Sequence, residues 1–349
     1  MAHLQDPERR FGLELTRCTE AAALQAWKWF GRGDKIAADQ AAADAIRGMF
    51  DIMDVKAYVA IGEGRKDKAP GIFQGEVLGP EDGSLTVAIA VDPIDGTNLT
   101  AKGLPGAISV IASASCEHPE DDPTALLQSI PSYYMEKIAV GPKVAQGPGQ
   151  ISLEAPLEDN LDIVAFKLGK RISDLVVVVL DRPRHAQIIE TLRESGCRIR
   201  LITDGDVAAA IGPSLPNPEV DLYIGIGGSP EAVLSAAAIK CLGGAQYCRV
   251  WPRDENEKRH LIEHEGYTDE DFQRIYSAND LAKGDRILFS ATGISDSPLL
   301  PGLRFTDGHA ISTSVLMRSK YRTIRYVETH HNLQSKTIHL ASSHDEVSI

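Results

Sequence analysis

The chain has 349 residues, 43% of them hydrophobic and 6% aromatic, enough length for two domains or one large one with an ample core. Its 36 basic and 49 acidic side chains leave a net charge of −13, which excludes nonspecific binding to nucleic acid or to an anionic membrane surface but not a local basic pocket. The N-terminus lacks an apolar signal core and the run from Leu175 to Leu180 is far too short to span a bilayer, so a soluble cytoplasmic protein is expected.

Asp6-Pro7 has the form of an N-cap followed by a first-turn proline, and apolar positions then recur at helical spacing from Phe11 to Trp29. The polar loop Gly31-Arg32-Gly33-Asp34-Lys35 separates this predicted helix from a second that begins near Ala37 and passes through Ala43, Ile46 and Phe50. A strand from Ala57 to Ile61 delivers Gly62-Glu63-Gly64 into a turn. Leu85 to Val91 is β-branched and apolar enough for a buried strand, which Pro93 is expected to stop and Gly96 to turn. A short strand from Ile108 to Ala114, a polar loop from Glu117 to Pro123 and a Gly/Pro-rich passage from Gly141 to Gly149 follow. From about Ser173 the rhythm becomes strand, loop, helix. Leu175 to Leu180 leads to Arg182-Pro183-Arg184-His185 and a helix to about Glu194, Arg198 to Ile202 leads to Asp204-Gly205-Asp206 and another helix, and Asp221 to Ile226 leads to Gly227-Gly228-Ser229-Pro230-Glu231 and a helix to Leu242. That succession predicts a doubly wound α/β sheet, with ligands beyond the strands' carboxyl ends, where the three polar turns converge. The charged stretch from Arg253 to Asp271 reads as a solvated excursion.

Chemistry concentrates in Val91-Asp92-Pro93-Ile94-Asp95-Gly96-Thr97-Asn98. Two carboxylates held together at a strand end repel unless a cation lies between them, and hard oxygen donors suit Mg²⁺ or Mn²⁺. A capped turn, with Asp92 or Asp95 accepting nearby backbone N–H groups, is the plainer alternative. Glu63, between two glycines after a strand, is the next strongest carboxylate, and Asp39 the weakest. Glu231 suits either a ligand or the positive end of a helix, with Ser229 as cap, Pro230 in the first turn and the glycines leaving N–H groups for phosphate. Gly225-Ile226-Gly227-Gly228 is not a dinucleotide fingerprint, because Pro230 stands where the third glycine belongs; phosphate-loop and G-x-S-x-G motifs are absent. Five cysteines without C-x-x-C or zinc spacing read as reduced thiols, with Cys241 and Cys248 the candidate redox pair.

Taken in order, these motifs, together with Tyr134-Met135-Glu136-Lys137, Asp204-Gly205-Asp206-Val207-Ala208-Ala209, Phe289-Ser290-Ala291-Thr292-Gly293-Ile294 and Arg318-Ser319-Lys320, resemble class II fructose-1,6-bisphosphatases over almost the whole chain. That family includes enzymes that also hydrolyse sedoheptulose 1,7-bisphosphate, and it belongs to the lithium-sensitive, metal-dependent sugar-phosphatase superfamily. The resemblance implies an α/β fold, layered α/β/α/β/α, with two sheet-containing subdomains. We expect a metal-binding phosphatase part over 1–165 and a sugar-phosphate-binding part over 166–349. It further implies Mg²⁺ or Mn²⁺ as cofactor, held by Asp39, Glu63, Asp92, Asp95 and Glu231. Sugar-phosphate contacts are implied at Asp95, Gly96, Thr97, Tyr134, Arg184, His185, Asp204, Gly205, Asp206 and Gly228, with Thr97, Lys35 and Asp67 near the reaction centre. The implied partner is a small sugar bisphosphate, with no nucleic acid or membrane, and the implied assembly is a homo-oligomer, dimer or tetramer. The chain departs from many relatives at Arg65, where they have an acidic residue, and at Asp95, where they have Glu. An inositol-monophosphatase-like enzyme shares D-P-I-D-G-T but has a later W-D-x-A-A-G segment missing here, and a regulator that has lost catalysis is suggested only by Arg65.

Overall fold

The computed structural model describes residues 7–62, 71–116, 121–341 and 346–348, with residues 7 and 346–348 described by backbone alone. Helices α1 (Pro7–Trp27) and α2 (Lys35–Asp51) are followed by strands β1 (Val55–Ile61), β2 (Val77–Leu78) and β3 (Leu85–Asp95), the short helix α3 (Thr97–Lys102) and strand β4 (Ile108–Ser115). Then come β5 (Tyr134–Val140), α4 (Pro142–Ala145), α5 (Leu157–Leu168), β6 (Val176–Leu180), α6 (Ala186–Glu194), β7 (Arg198–Ile202), α7 (Asp206–Ile211), β8 (Leu222–Gly228), α8 (Ser229–Leu242) and β9 (Ala245–Val250). Helices α9 (Glu255–Glu265) and α10 (Asp269–Gln273), strand β10 (Ile275–Ser277) and helix α11 (Ala278–Leu281) precede β11 (Ile287–Gly293), β12 (Arg304–Thr306), β13 (His309–Arg318), β14 (Thr323–Asn332), β15 (Thr337–His339) and β16 (Glu346–Ser348).

The chain divides into two compact units, 1–128 with 283–349, and 129–282. This differs from the division expected at residue 165, and strand pairing is the reason. Strand β5 hydrogen-bonds to β8 and β9 and so belongs with the second unit, whereas β11 returns to pair with β4 and brings the C-terminal strands into the first. The fold is α/β with two mixed sheets.

In the first unit the sheet order is β12-β13-β11-β4-β3-β1-β2, with β14 on the other edge of β13. Among the described residues, β1 and β3 form its one parallel pair. Phe11, Leu15, Ala22, Ile46 and Phe50 of α1 and α2 pack with Val87, Ile89 and Val91 of β3 in one core. The helical periodicity of the N-terminal segment therefore buries one face against the sheet, as its spacing predicts. The start of α1 is tied down by Glu8, 1% exposed, which bridges Arg286 and Arg318.

In the second unit the order is β10-β9-β5-β8-β6-β7. The β6–β7 and β6–β8 pairs are parallel, which is the expected strand, helix, strand succession, and β5 runs antiparallel to β8. Alternate residues separate the faces. Val177, Val179, Leu222 and Ile224 pack with Leu161 and Val164 of α5 and Ile189 and Leu192 of α6. On the other face Val178 and Tyr223 meet Ala209 and Ala210 of α7 and Ile239 of α8. Helices thus cover both faces of a sheet whose strands read as continuous apolar runs. The charged stretch after Arg253 forms α9 and α10, as a solvated excursion should, and α9 is N-capped by Asp254, whose carboxylate accepts from Glu257 N at 2.9 Å. No helix among the described residues is long and apolar enough to cross a membrane.

Candidate active site

The Asp92 segment departs from its expected geometry in one instructive way. Strand β3 does not stop at Pro93 but runs to Asp95, and its register against β4 shifts, Asp92 opposing Val110 and Asp95 opposing Ile108. Three steps on one strand face two on the other, which is a β-bulge. A bulge is where a strand tolerates a proline without an N–H, and it re-aims the side chains beside it. Asp92 and Asp95 are 3% and 4% exposed, an expensive place for two carboxylates. One Asp92 oxygen accepts from Ile94 N at 3.0 Å, so the capped-turn contact exists alongside any ligand role. Gly96 then takes a left-handed conformation (φ 95°) at the start of α3, which puts Thr97 first in the helix. Thr97 Oγ1 donates to Ile94 O at 3.1 Å and reaches Asp39 Oδ1 at 3.3 Å.

Asp39 lies one turn into α2, whose N-cap is Asp34, accepting from Ala37 N at 2.9 Å. Burial pushes the Asp39 carboxyl up to about 7, against the pull of the Thr97 hydroxyl and of Lys35. Lys35 is exposed at the first position of α2, four residues before Asp39 and so on the same face. The structure therefore brings together Asp39, Thr97 and the Asp92–Asp95 bulge in the first unit. Glu63, Arg65 and Asp67 lie outside the described residues. Among the described residues no three His, Cys, Asp or Glu side chains form a metal-holding group. What supports a cation in this donor set is its chemistry: oxygen-only, half-buried to buried, with one carboxyl that burial alone would keep protonated near neutral pH.

In the second unit the expected residues gather at one end of its sheet. Arg184 donates from Nε and Nη2 to Ile226 O, at 3.0 and 2.9 Å, and its guanidinium stacks on the Tyr134 ring at 4.5 Å. His185, fully buried, accepts from Ile226 N through Nε2 at 2.7 Å. Desolvation takes its pKa down to about 4, so the ring is neutral and its remaining proton sits on Nδ1. Asp204 is half-buried, Gly205 is left-handed, and Asp206 opens α7 and is 7% exposed.

Glycines of β8 play a different part from the one the sequence suggests. They are not a free phosphate-binding loop, since β8 extends through Gly228 and pairs Gly227 with Met135 and Gly228 with Tyr134. Nor does Ser229 cap α8; it lies within the helix and donates to Ser132 O. The glycines instead let carboxylates lie against the strand. A Cβ at Gly227 would sit 1.9 Å from Asp206 Oδ2, and one at Gly228 would sit 1.8 Å from Glu231 Oε2. Glu231 Oε2 is buried without a hydrogen-bond partner among the described residues, and burial raises its pKa despite the charge of Lys137. A cation would satisfy that oxygen, which no helix cap explains. Sequence reasoning missed Lys137 and Tyr223, which both contact Asp206; Lys137 pairs with Gly225 across the sheet, a register that no local pattern shows. All five cysteines are free thiols, four of them buried, and Cys241 and Cys248 are not joined in a disulfide.

Comparison with known proteins places the whole chain. Residues 9–331 match the family model described as bacterial fructose-1,6-bisphosphatase, glpX-encoded. The class 2 fructose-1,6-bisphosphatase of Haemophilus influenzae is 43% identical over 335 residues, covering 93% of this chain and 97% of its own. A Synechococcus sp. (strain JA-3-3Ab) protein named D-fructose 1,6-bisphosphatase class 2/sedoheptulose 1,7-bisphosphatase is 37% identical over 347 residues, covering 93% and 96%. With a match over nearly its full length, the chain belongs to the glpX-encoded, class II fructose-1,6-bisphosphatase family.

Proposed function

We propose that this protein hydrolyses the 1-phosphate of fructose 1,6-bisphosphate in a Mg²⁺- or Mn²⁺-dependent reaction, and that sedoheptulose 1,7-bisphosphate is a second substrate, as the name of the Synechococcus relative suggests for that protein. The observation that carries the reading is the pair Asp92 and Asp95, buried on the β3 bulge of a chain that matches this family. Asp39, Glu63, Asp92 and Asp95 are the proposed metal ligands of the first unit and Glu231 that of the second. When bound, the metal supplies Lewis-acid charge for the phosphoryl group and the leaving oxygen.

The chain's own groups supply orientation. Thr97, held by Ile94 O, presents its hydroxyl to the attacking water or the leaving oxygen. Lys35 and Asp67 are the further residues proposed for the reaction centre. Arg184 spends two donors on Ile226 O, so its guanidinium is fixed in place and its other donors address the non-reacting phosphate. Tyr134 serves as the platform beneath that guanidinium. Asp204 and Asp206 accept hydrogen bonds from sugar hydroxyls, with His185, Gly205 and Gly228 shaping the same edge. Binding energy from the remote phosphate then positions the reacting one, which predicts a strong preference for bisphosphates. A homo-oligomer of the cytoplasm, a dimer or tetramer, completes the reading. Phosphate release from fructose 1,6-bisphosphate with added Mn²⁺, compared with inositol 1-phosphate and glucose 1-phosphate, is the test. Equal efficiency on the monophosphates would reject the assignment and favour an inositol-monophosphatase-like enzyme.

A further inference from the structure

Among the described residues of the second unit, Lys137 is the one buried lysine or arginine, 0% exposed in the middle of β5. An ammonium stripped of water needs an anion, and Lys137 Nζ donates to Asp206 Oδ2. Tyr223, also 0% exposed, donates its hydroxyl to Asp206 Oδ1. The register explains why both reach the same carboxylate. Tyr223, Gly225 and Gly227 alternate onto one face of β8, and Lys137 lies directly opposite Gly225. Gly227 closes the seat, because a Cβ there would meet Oδ2 at 1.9 Å.

A carboxylate has about four acceptor positions. With one on each oxygen taken from the strand side, the direction of the remaining ones is set by the sheet, and α7, only six residues long, does not have to fix it alone. We propose that Lys137 and Tyr223 are positioning residues that fix the orientation of the Asp206 carboxylate for a sugar hydroxyl, an inference that rests on the substrate role proposed for Asp206. Neither residue touches substrate; both act through Asp206. Losing either should weaken binding of the ground state and the transition state alike, which raises KM and leaves kcat almost unchanged.

The experiment measures kcat and KM for fructose 1,6-bisphosphate in the Mn²⁺-loaded full chain carrying Lys137→Met, Tyr223→Phe, Asp206→Asn or the double change Lys137→Met/Asp206→Asn. Lys137→Met should raise KM about tenfold or more, and Tyr223→Phe about threefold, with kcat moving less than about threefold in both. The double variant should have the KM of Asp206→Asn alone, since Lys137 has nothing left to position. A lysine that only stabilises the fold would lower the melting temperature and leave KM where it was. If Lys137→Met is too unstable to assay, Tyr223→Phe and the double variant, which removes both buried charges, decide the matter. Wild-type KM in Tyr223→Phe and Lys137→Met, or losses that multiply in the double variant, would overturn the clamp while leaving the functional reading intact. Absence of wild-type turnover would overturn the functional reading and the clamp with it.

Discussion

The two units place carboxylates at their working ends by different means. In the first, a backbone irregularity does it: the β3 bulge carries Asp92 and Asp95 into buried positions, and Lys35, four residues before Asp39 on α2, is exposed. In the second, missing side chains do it: Asp206 and Glu231 nest on Gly227 and Gly228, and Asp206 has its own buried ammonium in Lys137. A carboxylate paired with a fixed cation is poised to accept hydroxyl hydrogen bonds, and hard carboxylate oxygens gathered at a strand end suit a divalent metal. On the reading proposed above, the carboxylates of the first unit serve the metal and Asp206 of the second serves the sugar, with Glu231, whose burial Lys137 only partly offsets, as the exception.

The largest effect expected from this contrast is at Asp92. Asparagine keeps the oxygen that accepts from Ile94 N at 3.0 Å, so the turn should hold and the melting temperature should stay near wild type. The charge, however, is gone, and turnover should fall roughly a thousandfold or more. Phosphate release across a range of Mn²⁺ concentrations checks it. Near-normal activity of Asp92→Asn at limiting metal would reduce the bulge to a structural turn.

How much of this was legible beforehand depended on whether a feature was local. The α1 and α2 helices, the apolar strands and the strand, helix, strand run after Ser173 are encoded in periodicity, and they form close to where the pattern puts them. The bulge was not legible, because Pro93 signals only that ladder pairing fails and not whether the strand ends or absorbs an extra residue. The unit boundary was also hidden: nothing within the sequences of β5 and β11 says which sheet they join. At the site, acidic and basic residues in turns announced themselves. Lys137 and Tyr223 did not, since a strand lysine reads as solvent-facing until its cross-strand neighbour is known to be glycine. The glycines are plain in the sequence but their purpose is not, because a sequence shows that a side chain is missing without showing what fills the space.

Gly228→Ala sharpens the comparison with a smaller expected effect. The backbone at Gly228 (φ −60°, ψ 143°) is open to alanine, so the change acts through the methyl group, which would land 1.8 Å from Glu231 Oε2. The carboxylate must swing away, and the Mn²⁺ concentration for half-maximal activity should rise by about tenfold to a hundredfold, the range seen when metal-supporting groups are disturbed. Metal titration of activity, with thermal unfolding alongside, is the measurement. A large loss of melting temperature with unchanged metal dependence would return Glu231 to the role of a helix-start acid.

The smallest effect is expected at Tyr134, where two accounts of the same residue make different demands. If the ring serves as a platform for Arg184, its centroid 4.5 Å from the guanidinium, then leucine removes a cation–π contact worth about 0.5–1 kcal/mol, and KM for fructose 1,6-bisphosphate should rise only two- to fivefold. The guanidinium would not be lost, because Nε and Nη2 remain bonded to Ile226 O. Phenylalanine keeps the ring and discards the hydroxyl, so Tyr134→Phe should stay within about twofold of wild type on the same reasoning. Were Tyr134→Phe to lose as much as Tyr134→Leu, the hydroxyl rather than the ring face would be the working group, and Tyr134 would move from supporting the arginine to contacting the sugar phosphate itself.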